Sequence, residues 1–402
     1  MATPQPPQEE NVLRDMIIDE GVTNPQNLVV LPPDYNRDHH DERNTNNSHG
    51  YHKNHDGSIA VVVDVVNKHP QKAHHAYMRI QEMPPVDLSH HYPGWGTVYF
   101  GIVLPRVREG IYRLPAQELA QRVAIKRLSK AAVIEYLQKG GNENPFKEIQ
   151  RMQWLGDNRH VLGLVEALHD ETYLYIIMPY CEGGSLVDWI FDRRDRIHEK
   201  FGGFAAVYLN LLENLEYLHS NGVCHRDLSP DNCMVLGNGR IVFVDLAMSF
   251  RFTISPHDGG DLTTKLGRGF FGKPAYLPPE IVSGFHYFGA KMCDLWSSAV
   301  ILFNLVTGEI AWEKSLPTDV RFRYLVLAGG LSRVAMNERT IEMLHQEGPL
   351  ATDLRGLAEK CVDLNPAVSD LLAGILKLDP NQRWNTSQAK HCLWLEAFRE
   401  LG

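Results

Sequence analysis

The stretch His225-Arg226-Asp227-Leu228-Ser229-Pro230-Asp231-Asn232 packs two carboxylates and an amide into six residues, Asp227 to Asn232. It follows residues 205–220, where Val207, Leu211, Leu215 and Leu218 recur at three- and four-residue spacing. That pattern predicts an amphipathic helix, and Asn221-Gly222 supplies its stop. Asp245 comes eighteen residues after Asp227, just past the apolar run Ile241-Val242-Phe243-Val244. A carboxylate at the end of a buried strand is poor core material, because it must be paired or metal-bound.

Upstream, Lys126 closes the apolar strand Val123-Ala124-Ile125, and Glu148 follows twenty-two residues later. Glu148 sits in a helical pattern over Pro145–Leu155 that sets Ile149, Met152 and Leu155 on one face. Phosphoryl transfer from a nucleotide needs such a set. One group holds the divalent ion on the phosphates, one orients the incoming hydroxyl, and a cation grips the donor. Taken singly, each residue is equally open to a surface salt bridge or a turn cap.

Together and in this order, the motifs resemble the eukaryotic protein-kinase family, and serine/threonine kinases most. The resemblance runs from about residue 93 to residue 395. Val123-Ala124-Ile125-Lys126 matches the ATP-anchoring lysine motif and Glu148 its helical partner. His225-Arg226-Asp227 and Asn232 match the catalytic loop, and Asp245-Leu246-Ala247 the magnesium-binding motif. Pro278-Pro279-Glu280, Asp294-Leu295-Trp296-Ser297 and Arg383 match later family positions, with Arg383 pairing Glu280. The resemblance implies an α+β, two-lobed kinase-like fold with a β-rich N-lobe and a mainly helical C-lobe. It implies ATP and Mg2+ as cofactors, a protein substrate, and Asp227 as the group that orients the hydroxyl and takes its proton. Asn232 and Asp245 would hold the metal. Gly96, Val98, Ala124, Lys126, Met178, Cys181 and Met234 would line the nucleotide site, with Met178 at its back. Leu246, His225, Met152 and Leu164 would stack as core.

Several positions depart from the family. The phosphate-cradling stretch reads His91-Tyr92-Pro93-Gly94-Trp95-Gly96-Thr97-Val98, in which only Gly96 and Val98 match. Proline at 93 removes a backbone donor. About a dozen extra residues precede Lys126, predicting a longer hairpin around residues 105–122. Ala247 replaces a glycine, which restricts positive φ. Ser229 stands where lysine contacts the transferred phosphate, and Lys273 stands where a threonine normally meets that lysine. The two positions look exchanged, so Lys273 is expected beside Asp227 as a replacement cation. Arg226 suggests an activation-loop phosphate, with an upstream kinase acting on Thr263 or Thr264. Packing of Phe270 and Phe271 is the competing way to order that segment. Cys181 is expected either as a solvent-reachable thiol or as a plain connecting residue.

The formal charge is -9, and residues 1–57 hold ten acidic against four basic side chains. The rest is nearly neutral and carries no nucleic-acid footprint. Residues 1–57 read as a largely disordered acidic tail, rich in His and Asn, with a short strand near 28–31. Its His39, His40, His49, His52 and His55 could hold a metal, against the default of a polar linker. The expected divisions are that tail, an N-lobe with its preceding extension over 58–179, and a C-lobe over 180–402. Strands are expected at 59–66, 97–103, 123–126, 161–168 and 173–179. Later helices are expected at 287–307, 320–328, 340–344, 368–376 and 386–391. The six cysteines form no CxxC pair, which favours reduced thiols in a cytoplasmic protein, with the nucleus as a second location. The N-terminus lacks the pattern of a signal peptide, and no apolar run is long enough to span a bilayer. The active kinase has one rival from another class, a pseudokinase acting as an ATP-binding or scaffolding module, supported by His91, Pro93, Ser229 and Ala247.

Overall fold

The computed structural model describes residues 29–30, 51–53, 59–61, 65–66, 75–82, 96–108, 111–112, 119–169, 172–252, 263–265, 271–284, 287–327, 329–331 and 349–401. It divides into two compact units, Met1–Asn158 with Leu162–Cys181, and Arg159–Val161 with Glu182–Gly402. The division falls two residues beyond the one expected at 179, and Arg159–Val161 joins the second unit. Most of the tail, including its histidine side chains, lies outside the described residues, as do residues 83–95 with His91 and Pro93.

The first unit is built on an antiparallel sheet. Its main strands are β1 (His75–Glu82), β2 (Gly96–Arg108), β3 (Arg122–Ser129), β4 (Glu166–His169) and β5 (Tyr173–Pro179), hydrogen-bonded in the order β4-β5-β3-β2-β1. Side chains alternate across a pleated strand, so one parity faces one side. Tyr99, Val123, Ile125, Tyr175 and Ile177 share a parity and form a core with Tyr77 and Leu168. The buried Tyr77 hydroxyl donates to Glu166 Oε2 at 2.7 Å, so the ring's polar end is satisfied. Burial first, and the Glu166 carboxylate second, push its pKa far up.

β1 is not among the expected strands, because the parity of its buried Tyr77 is shared by polar His75, Arg79 and Gln81 and so carries no apolar alternation that marks the core face. Val29–Val30 adds a short parallel strand beside β4, near the strand expected at 28–31. The run 59–66 is two strands with different partners, Ile59–Val61 against Tyr51–Lys53 and Val65–Val66 against β1. Polar Asp64 interrupts that run in the sequence. The expected hairpin extension is present, because β2 continues past β3 to pair with Ile111–Tyr112.

Two helices complete this unit. α1 (Lys130–Gln138) follows β3 directly, its first turn capped by Ser129 Oγ. α2 (Pro145–Leu155) has the predicted bounds. Asn144 Oδ1 accepts from Phe146 N and Lys147 N, and Pro145 fills the first turn, where a missing N–H costs nothing.

The second unit is mainly helical. α3 (Leu186–Phe191) opens on a capping box in which Ser185 and Asp188 exchange hydrogen bonds. α4 (Phe204–Ser220) buries the predicted Val207, Leu211, Leu215 and Leu218 and packs on α5 (Ala290–Thr307). The helix expected from residue 287 starts three residues later, because Tyr287–Gly289 pairs as a strand with Thr263–Lys265. α6 (Pro349–Val362), α7 (Pro366–Ile375) and α8 (Leu393–Leu401) follow. The expected helix 320–328 is one turn, Val320–Phe322, widened into a π-helical stretch at Arg323–Leu327 before Gly329. The expected helix at 340–344 lies outside the described residues. The expected strand 161–168 shortens to β4. Val161 instead makes an isolated parallel bridge to Phe243 within the second unit. No helix among the described residues is long and apolar enough to cross a membrane.

Candidate active site

In the first unit, strand register aligns the candidate nucleotide residues. Val98 pairs with Lys126, Phe100 with Ala124, and Ala124 with Met178. Gly96, Val98, Ala124, Lys126 and Met178 therefore share one face of the sheet, opposite the Ile125–Ile177 core. Lys126 Nζ donates to Glu148 Oε2 at 2.8 Å, and both side chains are buried. α2 thus lies over the Lys126 face, and its capped first turn fixes Glu148. Cys181 is only 6% exposed, and burial raises its thiol to about 12. The expectation of a solvent-reachable thiol fails, because the chain after Pro179 turns this side chain inward. The adjoining Tyr180 ring meets Phe100 edge-on at 4.8 Å.

In the second unit, β6 (Val223–Cys224) leads into the catalytic-loop motif, and β7 (Cys233–Val235) pairs with β8 (Ile241–Phe243) behind it. The hairpin register sets Cys233 opposite Phe243, so Asn232 and Val244 meet at one end. Val244 N donates to the Asn232 carbonyl at 3.0 Å, which brings Asp245 alongside. Asn232 Nδ2 donates to the Asp227 carbonyl at 2.7 Å and to Asp227 Oδ2 at 3.0 Å. Its nitrogen thus committed, Asn232 offers an oxygen to any cation. Asp245 adds a carboxylate, held by Ala247 N donating to Oδ1 at 3.3 Å. An amide oxygen beside a carboxylate is a hard donor set that fits Mg2+. Asp245 has φ 58°, whereas Ala247 is not among the positive-φ residues, so its Cβ carries no strain. Met234 lies on β7, bridged to Ser185 and half-buried.

His225 braces this loop. Its Nδ1 accepts from Asp227 N at 3.3 Å, which makes Nε2 the protonated nitrogen donating to the Val244 carbonyl at 2.9 Å. Beneath it, Asp294 on α5 is fully buried. Oδ2 accepts from His225 N and Oδ1 from Arg226 N, both at 2.8 Å, and His219 Nε2 lies 2.9 Å from Oδ2. His219, Cys224 and Asp294 sit close enough to suggest a metal cluster. Both carboxylate oxygens are already engaged, however, so the group reads as a brace for the loop.

Burial opposes the Asp294 charge, but the His219 hydrogen bond, the neighbouring histidines and Arg226 N outweigh it and hold the pKa below its ordinary value. An unfolded Asp titrates at about 3.9. The stabilisation is therefore complete above that pH and fades as pH falls through the folded value. Acid titration of the unfolding midpoint should show that loss, and Asp294→Asn should flatten it.

Arg226 has φ 67°, and its guanidinium lies 3.5 Å from the Phe271 ring centroid and 5.8 Å from that of Phe250. Burial lowers its pKa to about 10, which leaves it charged at neutral pH. Phe271 packing is thus present. The side chains of Thr263 and Thr264, and Phe270, lie outside what the structure describes. Lys273 approaches Ser229, with Nζ 3.4 Å from its Oγ, but its ion-pair partner is Asp231 rather than Asp227. Asp231 is the residue that sequence reasoning missed. Its place two residues from Ser229 was the available signal.

Glu280 and Arg383 form a two-pronged ion pair at 2.6 and 2.7 Å, with the Arg383 side chain wholly buried over the Trp296 ring. Arg383→Ala leaves Glu280 without this partner. It should lower stability by about 3–5 kcal/mol, read from the urea midpoint.

Comparison with known proteins identifies the family. The protein kinase domain family matches residues 110–395. The chain belongs to the protein kinase family. The chain is 27% identical over 292 residues to serine/threonine-protein kinase STK11 of Gallus gallus, covering 71% of this chain and 57% of that protein. It is 30% identical over 258 residues to serine/threonine-protein kinase stk11 of Xenopus laevis, covering 63% and 50%. CBL-interacting protein kinase 14 of Oryza sativa subsp. japonica is 33% identical over 196 residues, covering 49% and 42%. The chain therefore spans only about half the length of these relatives.

Proposed function

We propose that this chain is an active ATP-dependent protein kinase that transfers the γ-phosphate to Ser or Thr hydroxyls of proteins. The observation that carries this is the Asp227–Asn232–Asp245 arrangement, in which one amide fixes a candidate base and the next strand end supplies a second oxygen ligand. Buried Lys126, held by Glu148, is the group to grip the donor phosphates, and Gly96, Val98, Ala124, Met178, Cys181 and Met234 are the nucleotide-contacting positions. Serine/threonine kinases among the relatives support the acceptor class.

Asp227 orients the acceptor hydroxyl. The oxygen of that Ser or Thr hydroxyl attacks the γ-phosphorus, the bond from that phosphorus to the β–γ bridging oxygen breaks, and ADP leaves with the electron pair. The hydroxyl proton passes to the Asp227 carboxylate. Asn232 and Asp245 would hold Mg2+, which when bound would supply charge neutralisation on the phosphates. The six cysteines, all buried, support a reducing compartment such as the cytoplasm or nucleus. Incubating the full chain with Mg2+, labelled ATP and a peptide mixture tests the reading. Asp227-dependent label on Ser or Thr supports it. Label on Tyr corrects the acceptor class. ATP binding without Asp227-dependent transfer favours the pseudokinase.

A further inference from the structure

We propose that Lys273 is the cation that contacts the transferred phosphate and that Asp231 is the residue that positions it, an assignment resting on the kinase reading above. Lys273 Nζ donates to Asp231 Oδ2 and, at 3.4 Å, to Ser229 Oγ. Ser229 Oγ in turn donates to the same Asp231 oxygen at 3.3 Å. The three side chains close a triangle in which Ser229 is fully buried, while Lys273 and Asp231 keep 23% and 32% of their side chains exposed. The side chain is thus anchored and remains partly exposed.

The backbone fixes where this lysine emerges. Gly272 has φ +76°, and a Cβ there would lie 2.9 Å from the Arg226 carbonyl and 3.3 Å from Asp227 Oδ1. The chain entering Lys273 therefore runs directly against the catalytic loop at Asp227. Tyr276 N donates to the Lys273 carbonyl at 2.9 Å, closing a turn around Pro274 that holds the segment on the far side. Within residues 225–235 the sequence offers one other arginine or lysine, Arg226, and its guanidinium lies on the Phe271 ring. A transferring phosphoryl group carries charge that fixed cations stabilise. Lys273 is the cation held against this loop for it.

The lysine thus comes from the segment after residue 270 rather than from the loop itself. The charge and the base are then united only when that segment is seated. Asp231 offsets part of the Lys273 charge, but it removes the freedom of a long, flexible stem.

Kinetics on the full chain test the assignment. Lys273→Met should lower kcat roughly tenfold to a hundredfold, with the KM for ATP changing less than about threefold. Asp231→Asn should lower kcat about three- to tenfold, and should add nothing when Lys273 is already Met, since coupled groups are non-additive. Asp231→Glu should recover part of the loss. Ser229→Lys added to Lys273→Thr should restore most of the activity that Lys273→Thr loses, which separates a charge role from misfolding. Lys273→Met activity within about twofold of the parent overturns the assignment. So do additive losses in the Asp231–Lys273 pair, or failure of the exchange in a variant that melts normally. If the parent chain shows no Asp227-dependent transfer, the kinase reading itself fails.

Discussion

Asp227→Asn lowers kcat for peptide phosphorylation by roughly 10²–10⁴-fold, while the KM for ATP moves less than about threefold. The substitution removes the proton acceptor and little else. Asn232 Nδ2 also donates to the Asp227 main-chain carbonyl, and that bond survives any side-chain change. Asp294 holds the two preceding N–H groups, so the loop keeps its path. An isosteric amide in a buried position should therefore leave the melting temperature nearly unchanged. A loss confined to kcat would mark Asp227 as acting in the transition state. A residual rate within about tenfold of the parent would assign the proton to another group.

Lys126→Met produces the second large effect, in two separable readouts. The first is catalytic: without the cation, donor phosphates lose a fixed partner, and transfer should fall by roughly a hundredfold or more. The second is structural: a buried carboxylate deprived of its ion-pair partner costs about 3–5 kcal/mol. Glu148 is only 2% exposed, so this cost falls on it directly. Adding Glu148→Leu to Lys126→Met should recover most of the stability, because two apolar groups of similar volume replace a broken pair. It should not recover transfer. A urea midpoint and a single-turnover rate on each variant distinguish the two. Equal recovery of both would mean that Lys126 matters only to the fold.

How far residues alone carry depends on where their partners lie. α2 and β5 were predicted to the residue, because a cap, a proline and an unbroken apolar pattern all sit within the segment. The Asp227, Asn232 and Asp245 set was also evident, since a short hairpin brings them together. The start of α5 was placed too early because Tyr287–Gly289 takes its structure from a distant strand, which no local periodicity records. α1 escaped notice because it begins on the residue after β3, leaving no loop signal between them. Lys273 was rightly tied to Ser229, yet its salt bridge to Asp231 spans forty-two residues and emerged only from the fold.

The parity of the first sheet bears on where this chain tolerates a change of length. Val98 opposite Lys126 and Ile102 opposite Arg122 fix an unbroken register from β2 to β3. Deleting or adding a single residue inside those segments would turn Lys126 toward the core and Ile125 toward the ligand face. The extra residues of this chain fall between Ile102 and Arg122, where β2 still pairs with β1 as far as Pro105 and then with Ile111–Tyr112. Growth after Tyr112 lengthens the connection to β3, at a cost that rises only slowly with length, and leaves the alternation of β2 and β3 untouched. That interval is where evolution could lengthen the chain without moving its lysine, and where a spliced-in reporter should be borne most easily.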